Sequence, residues 1–336
     1  MSEIPDGTRS SGRAQRRPTG LAPKRPTWSR QPPHVSFEFF PPKTAAGEAK
    51  LRQAALQLAE FEPDFVSVTF GAGGSSNVKT LETCVSLRET MGLEVIPHIS
   101  CIGRTPEEIE EHLERYREAG FGKLLALRGD VPIDAEASGA PLVTDGGFRY
   151  ASELVAFIKN RGGFHILVGC YPEGHPEAPS MQHDVENFVR KVEAGAEVAI
   201  TQYFFNNAAY FHFVHEVRRR GVDIPIVVGL MPSAPYAQVL RFSEKCGADL
   251  PLWIRKRMEG YQDDPVSQVD FAIDVATQQV EELLHNGAPG IHFYTLNHPE
   301  ATMRICERLR PNPPELGEPW GDALAPDEID IPSSLS

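Results

Sequence analysis

The sequence predicts a single (β/α)8 TIM barrel, an α/β fold, on three observations. Eight short apolar runs recur along the chain, nearly continuous in Val, Ile, Leu and Phe, as strands buried on both faces should be. Longer amphipathic stretches lie between them, the alternation of βα units around a parallel sheet. Almost every short run ends in a polar side chain, at the end of the strand where such a barrel carries its active site. A doubly wound sheet is the runner-up, and it would want a dinucleotide-binding glycine fingerprint. "GAGGSS" (71–76) does not match G-x-G-x-x-G with a helix opening on its third glycine.

In order, "VSFEFF" (35–40) ends at Pro41-Pro42 and precedes the helical "AAGEAKLRQAALQLAEF" (45–61). "FVSVTF" (65–70) precedes "VKTLETCVSLRETM" (78–91). "EVIPHIS" (94–100) precedes "TPEEIEEHLERYREAG" (105–120), where Thr105-Pro106 followed by acids marks a helix start. "KLLALRG" (123–129) precedes "YASELVAFIKNRG" (150–162), and "HILVGCY" (165–171) precedes "MQHDVENFVRKVEAGA" (181–196). "VAITQYFF" (198–205) leads to "NAAYFHFVHEVRRRG" (207–221), and "IPIVVGLM" (224–231) leads to "APYAQVLRFSEKCG" (234–247). "PVSQVDFAIDVATQQVEELLHNG" (265–287) precedes the eighth run, "GIHFYTL" (290–296). Gly120, Gly195 and Gly221 fall where helices should stop. The barrel is expected over residues 34–310.

Composition narrows the function classes. The chain has 336 residues and a net charge of −13, a surface that repels phosphate backbones, so no nucleic-acid partner is expected. No apolar run reaches the roughly 18 residues of a membrane span, so no membrane partner is expected. The five cysteines are scattered without a C-x-x-C pair, which points to reduced thiols in a cytoplasmic protein. Residues 1–33 read as a disordered basic arm; the first 30 hold seven Lys/Arg against two Asp/Glu and no secretory h-region. Residues 311–336, with six acidic residues and no Lys or Arg, read as an acidic disordered tail.

The strand ends read Glu38, Thr69, His98, Arg128 with Asp130, Tyr171, Gln202, the Gly229–Pro232 turn, and Thr295 with Asn297. Glu38 stands inside an apolar strand beside Phe37, Phe39 and Phe40. A carboxyl surrounded by phenylalanines is poorly solvated, which raises its pKa and lets it hold a proton for delivery. The bland alternative is a glutamate paired with an arginine inside the barrel. No lysine ends a strand, which disfavours a Schiff-base aldolase. His212, His215 and Glu216 share a helix without a third zinc ligand, so no metal is expected. Asp184, Asn187 and Lys191 are spaced i, i+3, i+7 with Arg190 adjacent. That face suits a pyrophosphate and ribose grip, or equally a solvated surface.

Taken in order, "SFEFFPPK", "VSVTFGAGG", "PHISCIG", "LALRGD", "YPEGHPEA", "ITQYFFN", "GLMP" and "HFYTLN" resemble the bacterial-type, single-domain methylenetetrahydrofolate reductases. The resemblance runs from about Ser36 to about Cys306 and implies a flavin-dependent (β/α)8 barrel. It implies FAD as cofactor, held by Thr69, His98, Leu127, Arg128, Gly129, Asp130, Tyr150, Gly169, Tyr171, His175, Asp184, Asn187, Arg190 and Lys191. It implies that Glu38 is the general acid that opens the substrate ring and that Asp130 stabilises the cation so formed. Gln202, Gln238 and Phe242 match folate-contacting positions. At His298 the family commonly has arginine, and histidine is a weaker, pH-dependent partner for a carboxylate. The extended N-terminal arm is a second departure. The implied reaction is ping-pong hydride transfer from NADH or NADPH through FAD to 5,10-methylenetetrahydrofolate, supplying methyl groups for methionine synthesis. The implied assembly is a homodimer or tetramer. Two other readings are a barrel enzyme of another class and a non-catalytic flavin- or folate-binding barrel. The first lacks its lysine or ligand cluster, and the second does not need both Glu38 and Asp130.

Overall fold

The computed structural model describes residues 34–70, 77–130, 146–232 and 235–309. The expected basic arm, the acidic tail and "GAGGSS" lie outside the described residues. Eight parallel strands close into one barrel in chain order. They are β1 (His34–Phe39), β2 (Phe65–Val68), β3 (Val95–Ser100), β4 (Lys123–Leu127), β5 (His165–Cys170), β6 (Val198–Thr201), β7 (Ile226–Leu230) and β8 (Gly290–Tyr294). The helices between them are α1 (Ala45–Ala59), α2 (Asn77–Met91), α3 (Pro106–Glu118), α4 (Ala151–Arg161), α5 (Met181–Glu193), α6 (Asn207–Arg219), α7 (Tyr236–Cys246), α8 (Leu252–Gly260) and α9 (Pro265–His285). α10 (Glu300–Leu309) follows β8. The fold is the (β/α)8 barrel that the sequence predicts.

Local signals set the helix ends. Thr105 caps α3 in a capping box: its hydroxyl accepts from Glu108 N at 3.3 Å, and its own N–H donates to Glu108 Oε2 at 2.8 Å. Thr44, Ser180, Asn206 and Asp264 cap α1, α5, α6 and α9 through side-chain oxygens. Gly120, Gly195 and Gly221 take positive φ just past α3, α5 and α6, where other residues would be strained.

Two helices escape the sequence reading. α8 has nine residues and buries only Ile254 and Met258, too few positions to show a period. α10 buries Thr302, Ile305 and Cys306, an i, i+3, i+4 set that could have revealed it. The strands are also shorter than the apolar runs. β6 stops at Thr201, and Tyr203 packs instead with Met231, Val239, Leu250 and Ile254, in the cluster that docks α7 and α8.

The core has two layers separated by the sheet. Phe37, Phe39, Val66, Val68, Ile291 and Phe293 point outward under the helices. Phe65, Ile96, Leu125, Leu167, Ile200 and Val227 point inward and fill the lumen. Such a layered plug makes the barrel a packed core that opens only at its mouth. Gly229 leaves room in that lumen: an added Cβ would lie 1.9 Å from Thr201 O and 2.5 Å from the Tyr294 hydroxyl. The Tyr294 hydroxyl donates to Thr201 O at 2.6 Å, tying β8 across β7 to β6.

Gly229→Ala should therefore cost about 3 kcal/mol or more, because its nearest obstacle is backbone. Gly260→Ala, with nothing within 4 Å, should change stability by less than about 0.5 kcal/mol. Urea denaturation of both variants measures this, and equal midpoints would refute the steric account.

Candidate active site

Glu38 is the carboxylate at the centre of the mouth. In the barrel register it lies level with Ser67 of β2 and Tyr294 of β8. Period-two alternation sends Ser36 and Glu38 into the lumen and Phe37 and Phe39 to the helix layer. The expected phenylalanine shell is therefore corrected, since its sequence neighbours occupy the other face of the sheet. Glu38 instead meets two imidazoles. Its Oε2 lies 3.5 Å from His98 Nε2 and 3.7 Å from His292 Nε2. The alternative partner, an arginine inside the barrel, is not what stands there. The Glu38 side chain keeps 18% exposure, so it is reachable from the mouth.

His98 arrives from β3 and is 3% exposed. Burial pushes its pKa down to about 4, against an upward pull from Glu38 and a further downward push from His292. The imidazole is neutral at neutral pH, so the 3.5 Å approach to Glu38 is not an ion pair there. His98 Nε2 has no hydrogen-bond partner, while its carbonyl accepts from the Tyr116 hydroxyl at 3.1 Å. A buried, unpaired imidazole nitrogen beside a carboxylate is costly unless a ligand serves it.

His292 of β8 is fully buried and escapes the sequence reading as a site residue. Its Nδ1 is 2.7 Å from Ser36 Oγ and its Nε2 is 3.3 Å from Ser67 Oγ. Phe65 stacks on its ring at 5.6 Å. The available signal was a histidine two residues before Tyr294 in an apolar strand, the same kind of anomaly as Glu38.

The loop after β8 grips the end of β1. Thr295 Oγ1 donates to Glu38 O at 2.6 Å. Asn297 donates from Nδ2 to Phe40 O at 2.9 Å and accepts from Phe40 N at 3.0 Å. Leu296 and Asn297 hold the left-handed φ values of 52° and 59° that bring the amide into place. On the other side, Thr69 N donates to Phe39 O at 2.9 Å. His298 is exposed, and its N–H closes the turn on Thr295 O at 2.8 Å.

The sequence-predicted cofactor residues gather at the ends of β2 to β5 and on the helices beyond. Leu127 lines the lumen. Arg128 makes a bidentate pair with Glu177, both contacts 2.6 Å, and its carbonyl accepts from Cys101 N and Ile102 N. Gly129 takes φ 87°, and a Cβ there would lie 2.8 Å from Ser100 Cβ. Gly169 lies in β5 against Leu127. Tyr150 caps α4, half exposed beside Arg149. Tyr171 meets His175 edge-on at 4.6 Å. Burial, and then Arg128, push the His175 pKa down.

The polar face of α5 is not a plain solvated surface. Asp184 is buried and accepts from His175 N at 3.2 Å. Lys191 turns inward and donates to Gly169 O at 2.5 Å, so a lysine does reach a strand end, from a helix. Burial pushes the Asp184 pKa up and the Lys191 pKa down, and it outweighs their mutual attraction in both. Asn187 and Arg190 pair at 2.7 Å nearer the surface.

Asp130 is 74% exposed and pairs with Lys245 of α7 at 2.5 Å. Gln202 accepts from Tyr203 N at 3.0 Å at the end of β6. Gln238 and Phe242 lie one turn apart on α7, both part-buried, with Arg241 near the Phe242 ring. On α6, Glu216 of the His212–His215 set is held by Arg219 and Arg220.

The sequence profile of the family described as methylenetetrahydrofolate reductase matches residues 25–310. The chain belongs to that family. It is 37% identical over 280 residues to the 5,10-methylenetetrahydrofolate reductase of Escherichia coli (strain K12), covering 83% of this chain and 92% of the relative. A "Methylenetetrahydrofolate reductase (NADH) 1" of Arabidopsis thaliana is 33% identical over 82% of this chain, which spans 48% of that relative. Among solved structures, an uncharacterized protein from Clostridium thermocellum, described as binding two copies of 5-methyl-5,6,7,8-tetrahydrofolic acid, shares the fold. Its TM-score is 0.57 at 14% identity, with 83% of this chain and 96% of that chain covered. No described helix is long and apolar enough to cross a membrane.

The state of His98 carries a pH prediction for this reductase-family barrel. Its folded pKa, about 4, lies below the ordinary 6.5. Between these values the unfolded chain binds more protons, so stability is complete above pH 6.5 and is lost as pH falls toward 4. The full shift corresponds to roughly 3 kcal/mol. His98→Asn, which does not titrate, should show a smaller loss of stability than wild type between about pH 7.5 and about pH 5. Denaturant titrations at the two pH values measure this, and equal losses would assign the acid sensitivity to other groups.

Proposed function

We infer that this protein reduces 5,10-methylenetetrahydrofolate to 5-methyltetrahydrofolate, with NADH or NADPH as reductant, FAD as carrier and Glu38 as proton donor. The family and the names of its relatives support the substrate, and the name of the plant relative favours NADH. The observation that carries the reading is Glu38 itself, a lumen-facing carboxylate reachable from the mouth and set against a neutral imidazole.

The residues at the mouth fit FAD. His98 Nε2 is a buried polar atom without a partner at the floor of the mouth. Asn187, Arg190 and Lys191 would serve the phosphates and ribose, and Asp184, His175 and Tyr171 would hold the adjoining rim. Thr69, Leu127, Arg128, Asp130 and Tyr150 would complete the cradle. When bound, FAD would take hydride from the reduced nicotinamide and pass it to the folate.

Glu38 would deliver the proton that the folate needs. Transfer to N10 breaks the five-membered ring and leaves a cation at N5, the centre that accepts hydride. His98 does not compete for that proton, because burial disfavours the imidazolium. Asp130, exposed at the end of β4, would offer its negative charge to the N5 cation. Gln202, Gln238 and Phe242 would hold the folate, and His298 would meet its polar end less firmly than an arginine. The five free thiols fit a reducing cytoplasm, and a homodimer or tetramer is the expected assembly.

Anaerobic stopped-flow on wild type and Glu38→Gln tests the assignment through flavin absorbance. NADH should bleach the flavin of both proteins at similar rates. Methylenetetrahydrofolate should restore the colour of wild type, with at least about a hundredfold slower recovery in the variant. Similar recovery in both would show that Glu38 is not the acid, and a colourless purified protein would refute the flavin reading.

A further inference from the structure

α7 brings to the mouth a cation that the function above leaves unused. Lys245 Nζ lies 2.5 Å from Asp130 Oδ2. β5 and β6 separate β4, which presents Asp130, from β7, which leads into α7. The helix must therefore lean over the ends of β5 and β6 to make this pair. Two neighbouring contacts agree with that path. Asp249 N donates to Glu173 Oε2 at 2.9 Å, and a Cβ added to Gly247 would lie 3.0 Å from Pro176.

Gln238, Phe242 and Lys245 are spaced i, i+4, i+7 and share one face of α7. Val239 and Ser243, on the adjoining face, are buried and dock the helix. The face that carries the two proposed folate contacts thus ends in the ammonium group over Asp130. Both members of the pair are open to solvent, Lys245 at 68% and Asp130 at 74%. An exposed pair of this kind is held weakly and exchanges partners at little cost.

The proposed ligands are anions: folate ends in glutamyl carboxylates and the nicotinamide dinucleotides carry phosphates. The chain is acidic overall, and Asp130 adds local repulsion. Arg128 is held by a bidentate contact with Glu177, and Lys191 and Arg190, on α5, are the cations proposed above for the cofactor phosphates.

We propose that Lys245 is a substrate-binding residue, whose ammonium leaves Asp130 for the carboxylate or phosphate of the ligand docked against Gln238 and Phe242. The exchange frees the Asp130 carboxylate to face the substrate cation. The inference rests on the function proposed above and names a contact of that same site.

Binding titrations on the holoenzyme test it apart from turnover. The probes are 5-methyltetrahydrofolate with one or three glutamyl groups, and NADH, each at low and high salt. Lys245→Met should weaken one of the two ligand classes by about five- to tenfold at low salt, and the loss should shrink at high salt. Lys245→Arg should keep most of the affinity. A loss that grows with glutamyl number assigns the carboxylates, and a loss confined to NADH assigns the phosphates. The loss should persist in an Asp130→Asn background. Binding of both ligands within about twofold of wild type, or a loss that vanishes with Asp130→Asn, would reduce Lys245 to a partner of Asp130 and overturn the inference. A wild type that binds both ligands but reduces no folate would refute the proposed function while the same titrations still decide Lys245. A wild type that binds neither would overturn both.

Discussion

The seam between β8 and β1 holds the site together. Glu38 and its neighbours come from opposite ends of the chain, and Ser36 meets His292 across 256 residues of sequence. Ladder pairing brings Glu38 level with Tyr294, Thr295 holds the Glu38 carbonyl, and Asn297 holds both polar atoms of the Phe40 backbone. In an open sheet β1 and β8 would not meet, and Glu38 would lose His292. The same closure sets the lumen size, which is why Gly229 must lack a side chain where Tyr294 lies.

Burial then decides the charge states. The lumen below Glu38 is closed by apolar side chains, with Ser36, Ser67 and His292 fully buried among them, so water approaches only from the mouth. In that setting an imidazolium is disfavoured, and His98 stays neutral despite a carboxylate 3.5 Å away. The same competition, with burial prevailing over attraction, acts on Asp184 and Lys191 at the end of β5. At the rim the balance reverses. Arg128 and Glu177 are held in their charged forms by their own bidentate contact. A carboxylate–imidazole centre reachable only from the mouth thus lies beneath a charged rim.

The strands and most helices were legible because their signals are local. Apolar runs, capping residues such as Thr105 and stop glycines such as Gly120 act within a few residues. The polar strand ends pointed to the mouth for the same reason. α8 was not legible, since two buried side chains make no period, and α10 was overlooked although its spacing carried one. The setting of Glu38 was misread because residues adjacent in a strand face opposite layers. Phe37 and Phe39 signalled a buried strand, and they said nothing of what the carboxylate meets.

The sequence by itself determined the fold class, the order of the elements and the family, since periodicity, caps and ordered motifs survive without tertiary contacts. It also marked Glu38, Asp130 and the α5 face as chemically unusual. Only the tertiary structure decided their partners: two histidines for Glu38, Lys245 for Asp130, and the Gly169 carbonyl for Lys191. Those pairings depend on the register of a closed barrel and on how far α7 leans over its mouth. Both are set by packing between segments far apart in the chain, which no local pattern encodes.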